Sequence, residues 1–199
     1  YKWYRPDLQA IAVVGDFDVD QMEKKVKELF SKIPTPVNPA KRENFTVNPH
    51  DEIYFVCATD KELTQSSVSV CIKYPAPTKE EKNHQCMKNG ILQSFYNTML
   101  GQRVSELLQK GNPPFISAQA GFGGNIVRGW NTYIISTTAK PNEEAGALEA
   151  IYRENERVKK FGFTEGELER AKTNMLVGLE SAYKQKDKTT SEDYIGEMQ

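Results

Sequence analysis

The chain has 199 residues, of which 38% are hydrophobic and 27% charged, and its formal net charge is -1. That near-neutral balance gives no electrostatic footprint for nucleic acid or an anionic membrane surface, and no apolar run approaches the roughly 20 residues that cross a bilayer. The length suffices to bury a core without staples, and the three cysteines, Cys57, Cys71 and Cys86, offer neither a disulfide framework nor a Cys-x-x-Cys pair; they read as small packing residues.

In chain order, Leu8 to Val14 is a continuous apolar run ended by Gly15, which predicts a strand buried on both faces. Asp18 with Gln21 predicts a helix start, and Met22, Val26, Leu29 and Phe30 share one face of the helix that follows. Pro34, Pro36 and Pro39 break it, and the polar stretch to Asp51 reads as a linker. Domain expectations follow: 1–33 an opening strand–helix unit, 34–51 a proline-rich linker, 52–199 the main α+β domain, truncated at its C-terminus.

Beyond the linker, Ile53 to Cys57 predicts one strand and Ser66 to Tyr74 another, with Val68, Val70, Ile72 and Tyr74 alternating against Ser67, Ser69, Cys71 and Lys73. Thr78 and Glu81 form a capping box ahead of a long helix to about Lys110, with Met87, Ile91, Leu92, Phe95, Met99, Val104 and Leu108 at helical spacing and a bend plausible near Gly101. Phe115 to Phe122 and Trp130 to Thr138 predict two more strands, with Gly121, Gly123 and Gly124 placed in the loop between them. A helix from Glu143 to Phe161, with Leu148, Ile151, Tyr152 and Val158 inward, stops at Gly162. Thr164 and Glu167 box the start of the next helix, striped by Leu168, Ala171, Met175, Leu176, Leu179 and Tyr183. Ser191 to Gln199 begins another. Strands in pairs separated by long helices argue α+β, a mainly antiparallel sheet with helices on one face.

No motif carries hydrolytic chemistry. The two histidines, His50 and His84, are 34 residues apart in sequence, and no His-x-x-Glu-His is present. His84 follows Glu80 and Glu81 at helical spacing, half of a di-metal carboxylate pattern that needs a second copy; a solvated charge cluster is the simpler reading. Ser66, Ser67 and Ser69 have no Gly-x-Ser-x-Gly elbow, and Gly121-Phe122-Gly123-Gly124 lacks the Lys-Ser/Thr of a phosphate loop. The residues therefore assign this segment no catalytic group and no metal ligand.

Four phrases, in order, give the chain its resemblance. They are Tyr4-Arg5-Pro6 running into Val14-Gly15-Asp16-Phe17-Asp18, Gln102 to Lys110 at a helix end, Phe115 to Gln119 after it, and Gly162-Phe163-Thr164-Glu165-Gly166-Glu167-Leu168-Glu169-Arg170-Ala171-Lys172. The wording resembles the pitrilysin/insulinase-type zinc metallopeptidases, closest to the bacterial two-half zinc proteases, in the stretch that runs from the end of the catalytic domain through the metal-free second domain. The resemblance implies an inactive domain of a zinc metalloendopeptidase, supporting the catalytic domain and walling a peptide-enclosing chamber. The alternative is a non-catalytic assembly subunit that partners an active peptidase. It also implies zinc only in the parent's catalytic domain, a peptide substrate, the preceding catalytic domain and C-terminal half as partners, and a periplasmic or cell-envelope setting. Where family members carry a substrate-gripping Arg–Tyr pair, this chain has Leu108 or a near neighbour and Phe115. A phenylalanine there keeps the ring and loses the hydroxyl. Phe115, Gln119 and Phe122 are the candidate chamber-lining residues on that resemblance.

Overall fold

A computed structural model describes residues 4–43 and 45–198; Tyr1 to Trp3 of the opening unit and Gln199 of the last helix lie outside the described residues. The elements are α1 (Val19–Phe30), β1 (Ser66–Pro75), α2 (His84–Gln109), β2 (Phe115–Val127), β3 (Trp130–Ala139), α3 (Glu144–Phe161), α4 (Glu165–Gln185) and α5 (Ser191–Met198). This is an α+β chain whose sheet is wholly antiparallel, in the order β1-β3-β2. It divides into two compact units, Tyr1–Phe45 with Gly178–Gln199, and Thr46–Val177.

In the first unit, the Asp18 carboxylate accepts from the Gln21 N–H at 2.9 Å and starts α1. Thr190 and Asp193 start α5 through a reciprocal box, the Thr190 N–H donating to Asp193 Oδ2 at 3.0 Å. The predicted strand Leu8 to Val14 does not form. Pro6–Leu8 is a short 3-10 turn, and the following residues are extended without a ladder, with Ile11 and Val13 exposed. An apolar run becomes a strand only where another backbone takes its hydrogen bonds, and no described strand lies beside this one.

The second unit holds the sheet. β1 pairs with β3 from Ser66↔Ala139 to Pro75↔Trp130 without interruption. The β2–β3 hairpin turns at Arg128-Gly129, where Gly129 has φ +86, a backbone angle that favours glycine in a tight turn. Gly121, Gly123 and Gly124 are therefore strand residues and not loop, a correction to the sequence expectation. The predicted strand Ile53–Cys57 is likewise absent. Those residues carry no ladder, and Ile53, Tyr54, Phe55 and Val56 are all exposed.

Helices α2 and α3 cover one face of the sheet. The core is Leu100 and Val104 from α2, Phe115 from β2, Ile135 and Ala139 from β3, and Ala147, Ile151 and Val158 from α3. Residue spacing along α3 explains its inward face: 147, 151, 154 and 158 stack along one side, which leaves Tyr152, expected inward, half in solvent. The Thr78–Glu81 box forms, with the Thr78 N–H donating to Glu81 Oε2 at 2.8 Å, but it closes a turn; α2 starts later, capped by Asn83, whose side chain accepts from the Gln85 and Cys86 N–H groups. Packing begins only in the second half of α2, since Met87, Ile91 and Leu92 are exposed while Met99, Leu100 and Val104 are buried. The stripe on α4 is similarly split: Ala171 is buried, and Leu176 is exposed.

Candidate functional site

Strand β2 is where the sheet's two faces are decided. Phe115 pairs with Ala139 and Ser117 with Thr138, so two residues of β2 oppose one step of β3 and Ile116 is a bulge. The extra residue resets the alternation. Phe115, Ala118, Ala120 and Phe122 all share the face of their partners Ala139, Thr137, Ile135 and Tyr133, the helix-covered face. Ser117 and Gln119 share the opposite face with their partners Thr138 and Ser136. Adding Ser67, Ser69, Cys71 and Lys73 from β1 gives that face hydroxyl, thiol, amide and ammonium groups, and Gln119, Ser67, Ser69 and Cys71 are exposed on it.

The three residues singled out in β2 are thus separated. Phe115 is 1% exposed, a core residue. Phe122 is half-buried in an aromatic cluster on the helix side, edge-on to Tyr96 at 5.2 Å and to Tyr133 at 5.0 Å between centroids. Gln119 alone stands on the open face.

The glycines beside Phe122 are explained by a helix side chain. Asn97 of α2 takes both backbone groups of Phe122: its Nδ2 donates to the Phe122 carbonyl at 2.8 Å and its Oδ1 accepts from the Phe122 N–H at 2.8 Å. A Cβ at residue 121 would sit 2.4 Å from Asn97 Oδ1, and Gly121 has φ +154. Only glycine lets the amide reach the strand. Behind it, the Tyr96 and Tyr133 hydroxyls are 2.9 Å apart and Tyr133 also donates to Asn155, whose own amide donates to the Ile151 carbonyl at 2.8 Å. Burial, reinforced by the bond to Tyr96, pushes the Tyr133 hydroxyl above the usual phenol range.

Two of the recognised phrases meet at Arg103. Its guanidinium donates from Nε to Glu167 Oε1 at 2.5 Å and from a terminal nitrogen to Glu167 Oε2 at 2.9 Å, and to Glu154 Oε1 at 3.1 Å and the Gly162 carbonyl at 3.2 Å. Phe163 lies under it at 5.0 Å. Glu167 simultaneously accepts from the Thr164 N–H at 2.7 Å, so one carboxylate both caps α4 and receives the fork of α2. The bond from Arg103 holds the Glu167 carboxyl down at about 2, against the cost of burial and aided by Thr164; Glu167 in turn raises the Arg103 pKa. The sequence contained both phrases, but nothing in their spacing announced that they touch.

The histidines do not converge with other ligands. His50 Nδ1 lies 2.7 Å from the Glu52 carbonyl and its ring packs on Tyr54, while Glu81, near His84 in sequence, is engaged by Thr78. Among the described residues no group of three or more His, Cys, Asp and Glu side chains could hold a metal ion, so the donor set does not fit zinc. No described helix is long and apolar enough to cross a membrane.

Comparison with known proteins decides what this frame is. Residues 1–175 match the family described as the peptidase M16 inactive domain. The chain belongs to that family. An M16 inactive domain of this kind is similar to the zinc protease PQQL-like of Arabidopsis thaliana, 25% identical over 96% of this chain and 17% of that protein. It is also similar to the probable zinc protease PqqL of Escherichia coli, 23% identical over 92% of this chain and 19% of that protein. The chain thus spans about a fifth of the length of these relatives. The periplasmic protease PqqL of Escherichia coli shares the fold, with a TM-score of 0.72 at 20% identity over 91% of this chain and 20% of that one. The first half of PqqL, taken alone, gives 0.71 over 90% of this chain and 38% of that one. A predicted insulinase family protease from Yersinia pestis gives 0.68 at 15% identity over 93% and 39%. The resemblance to insulinase-type zinc proteases read from the four phrases is thereby established, and so is the α+β class.

Proposed function

We propose that this M16 inactive domain acts as a zinc-free wall: it supports a zinc-bearing catalytic domain of the same protein and contributes the open face of its sheet to a chamber that encloses peptide. The observation that carries this reading is the one-sidedness of the sheet. Helices α2 and α3 bury one face in a conventional core, while the other presents Ser67, Ser69, Ser117 and Gln119 around Ile134 and the buried Thr132 of β3, without a covering helix in the unit. Such a face offers many neutral hydrogen-bonding groups and only Lys73 as a charge among the residues named on it. This suits transient contact with varied peptide backbones better than tight capture of one ligand. Within this reading Gln119 is the lining residue, and Phe115 and Phe122 hold the strand from behind.

The test uses the full-length protease. Replacing Gln119 with Ala or Trp should leave melting unchanged, because its side chain is exposed, and should alter kcat/KM severalfold for long peptides more than for short ones. Unchanged cleavage of every peptide length with both variants would refute the wall.

A further inference from the structure

Lys73, Thr132 and Gly123 make one cross-strand row of the sheet, since Thr132 of β3 pairs with Lys73 of β1 and with Gly123 of β2. Residues directly opposite one another hold their Cβ positions about 5 Å apart on a shared face, which here is the open one. The row lies at the hairpin end, where Trp130 follows on the same face as the partner of Pro75. Toward the other end stand the rows of Ser69, Ser136 and Gln119 and of Ser67, Thr138 and Ser117. From Ser67 to Lys73 the strand covers about 20 Å at roughly 3.3 Å per residue, the span of about six residues of extended peptide.

The chemistry of the hairpin end differs from that of the hydroxyl rows. Thr132 is 6% exposed, yet its hydroxyl makes no hydrogen bond among the described residues, unlike that of Thr137 on the helix side, which donates to the Val68 carbonyl at 3.4 Å. It is not one of the sealed side-chain atoms without a partner, so its oxygen is reachable from solvent. Gly123 keeps it so, because a Cβ there would sit 3.0 Å from Thr132 Oγ1. Beside it the half-buried Lys73 holds its Nζ 5.7 Å from the centre of the Trp130 ring. The indole is itself fixed, donating from Nε1 to the Val47 carbonyl at 2.9 Å. An ammonium steadied on an aromatic face has less freedom to lose when a ligand arrives. No carboxylate pairs with it among the described residues. Arg128, in the turn of the same hairpin, adds positive charge at that end.

We propose that Lys73 and Thr132 form a carboxylate subsite at the hairpin end of the open face. The ammonium and the hydroxyl both donate to one carboxylate of an enclosed peptide, either its C-terminus or an Asp or Glu side chain. A carboxylate has two acceptor oxygens and serves both donors at once. A hydroxyl withdrawn from water without a partner is costly, and the ligand supplies the partner that the fold does not. The neutral rows toward Ser67 carry the rest of the chain. The inference rests on the reading of this face as a chamber wall, and it adds a preference for peptides with an acidic group at a set place.

Paired peptides of equal length, cleaved by the full-length protease, test this. One pair differs as C-terminal acid against amide, the other as internal Glu against Gln, so the pair that responds identifies the carboxylate. The acidic member should be favoured about threefold to tenfold in kcat/KM. That preference should vanish in Lys73→Met and reverse in Lys73→Glu. Thr132→Val, of nearly the same shape, should reduce it without lowering the melting temperature, since the lost hydroxyl has no partner in the described fold. Gly123→Ala should reduce it by covering that hydroxyl. No preference within either pair in the parent protease, or a preference that survives Lys73→Met, would overturn the subsite. If Gln119→Ala then still alters cleavage with peptide length, the wall stands without it; if Gln119 variants are silent as well, both readings fall.

Discussion

Arg103 offers the most demanding test of the frame, because one side chain joins three helices' worth of contacts. Its side chain is 15% exposed, and those of Glu154 and Glu167 are 9% and 12%. Removing one partner of a buried pair typically costs about 3–5 kcal/mol, since the remaining charge is stranded. Arg103→Met keeps much of the volume and takes the guanidinium from two carboxylates, leaving Glu154 with Arg157 at 3.8 Å and Glu167 with Thr164, so a loss within that range is expected. Arg103→Lys keeps the charge and loses the fork to Glu167; it should recover only part of the loss.

Glu167→Gln isolates the ionic component, because glutamine can still serve the Thr164 box. The Glu167 carboxyl is held at about 2, below its ordinary 4.5. A depressed carboxylate stabilises the fold above its unfolded value and loses that contribution as pH falls through the folded one. The expected gap between parent and Glu167→Gln is about 3 kcal/mol at pH 7, at 1.36 kcal/mol per unit, and roughly half of that at pH 3. Urea unfolding followed by circular dichroism at both pH values reads it directly. A gap that is the same at pH 7 and pH 3 would refute the ionic account and assign the effect to packing.

Asn97→Ala should cost about 1–3 kcal/mol by orphaning the Phe122 backbone. Because Gly121→Ala displaces the same amide, the double variant should be less destabilised than the sum by 0.5 kcal/mol or more, roughly; strict additivity in denaturant melts would disprove the clamp. Phe115→Ala should cost about 3–5 kcal/mol as a core truncation, and a melting temperature close to the parent's would return it to the list of lining residues. Spectrophotometric titration should show a late-ionising tyrosine, and Tyr133→Phe should remove that late step. Elemental analysis of the purified chain should find no stoichiometric zinc, since no described group of His, Cys, Asp and Glu side chains could hold one; a tightly held ion lost on replacing His84 would contradict this.

Local signals were legible in the sequence wherever the physics is local. Asp18, Thr164 with Glu167, and Gly162 were readable as helix starts and stops because a cap needs only groups within a few residues. The period-two alternation of β1 and the positions of β3, α3 and α4 were readable for the same reason, as was the family itself, through four ordered phrases. The apolar runs at Leu8 to Val14 and Ile53 to Cys57 were strand-competent, but a run of residues says nothing of whether another backbone is present to pair with it.

The assignment of residues to faces was decided only by tertiary structure. Simple alternation puts Phe115 and Gln119 on one side of β2 and Phe122 on the other; the Ile116 bulge, a property of pairing with β3, sends both phenylalanines to the helices and leaves Gln119 outside. Likewise the glycines around Phe122 read as a loop until Asn97, 25 residues away in sequence, is placed against them. Caps, turns and periodicity depend on neighbours along the chain and can be written into a short stretch. Bulges, clamps and ion-pair junctions such as Arg103 with Glu167 depend on atoms that meet only when distant segments pack, so that information exists only in the folded molecule.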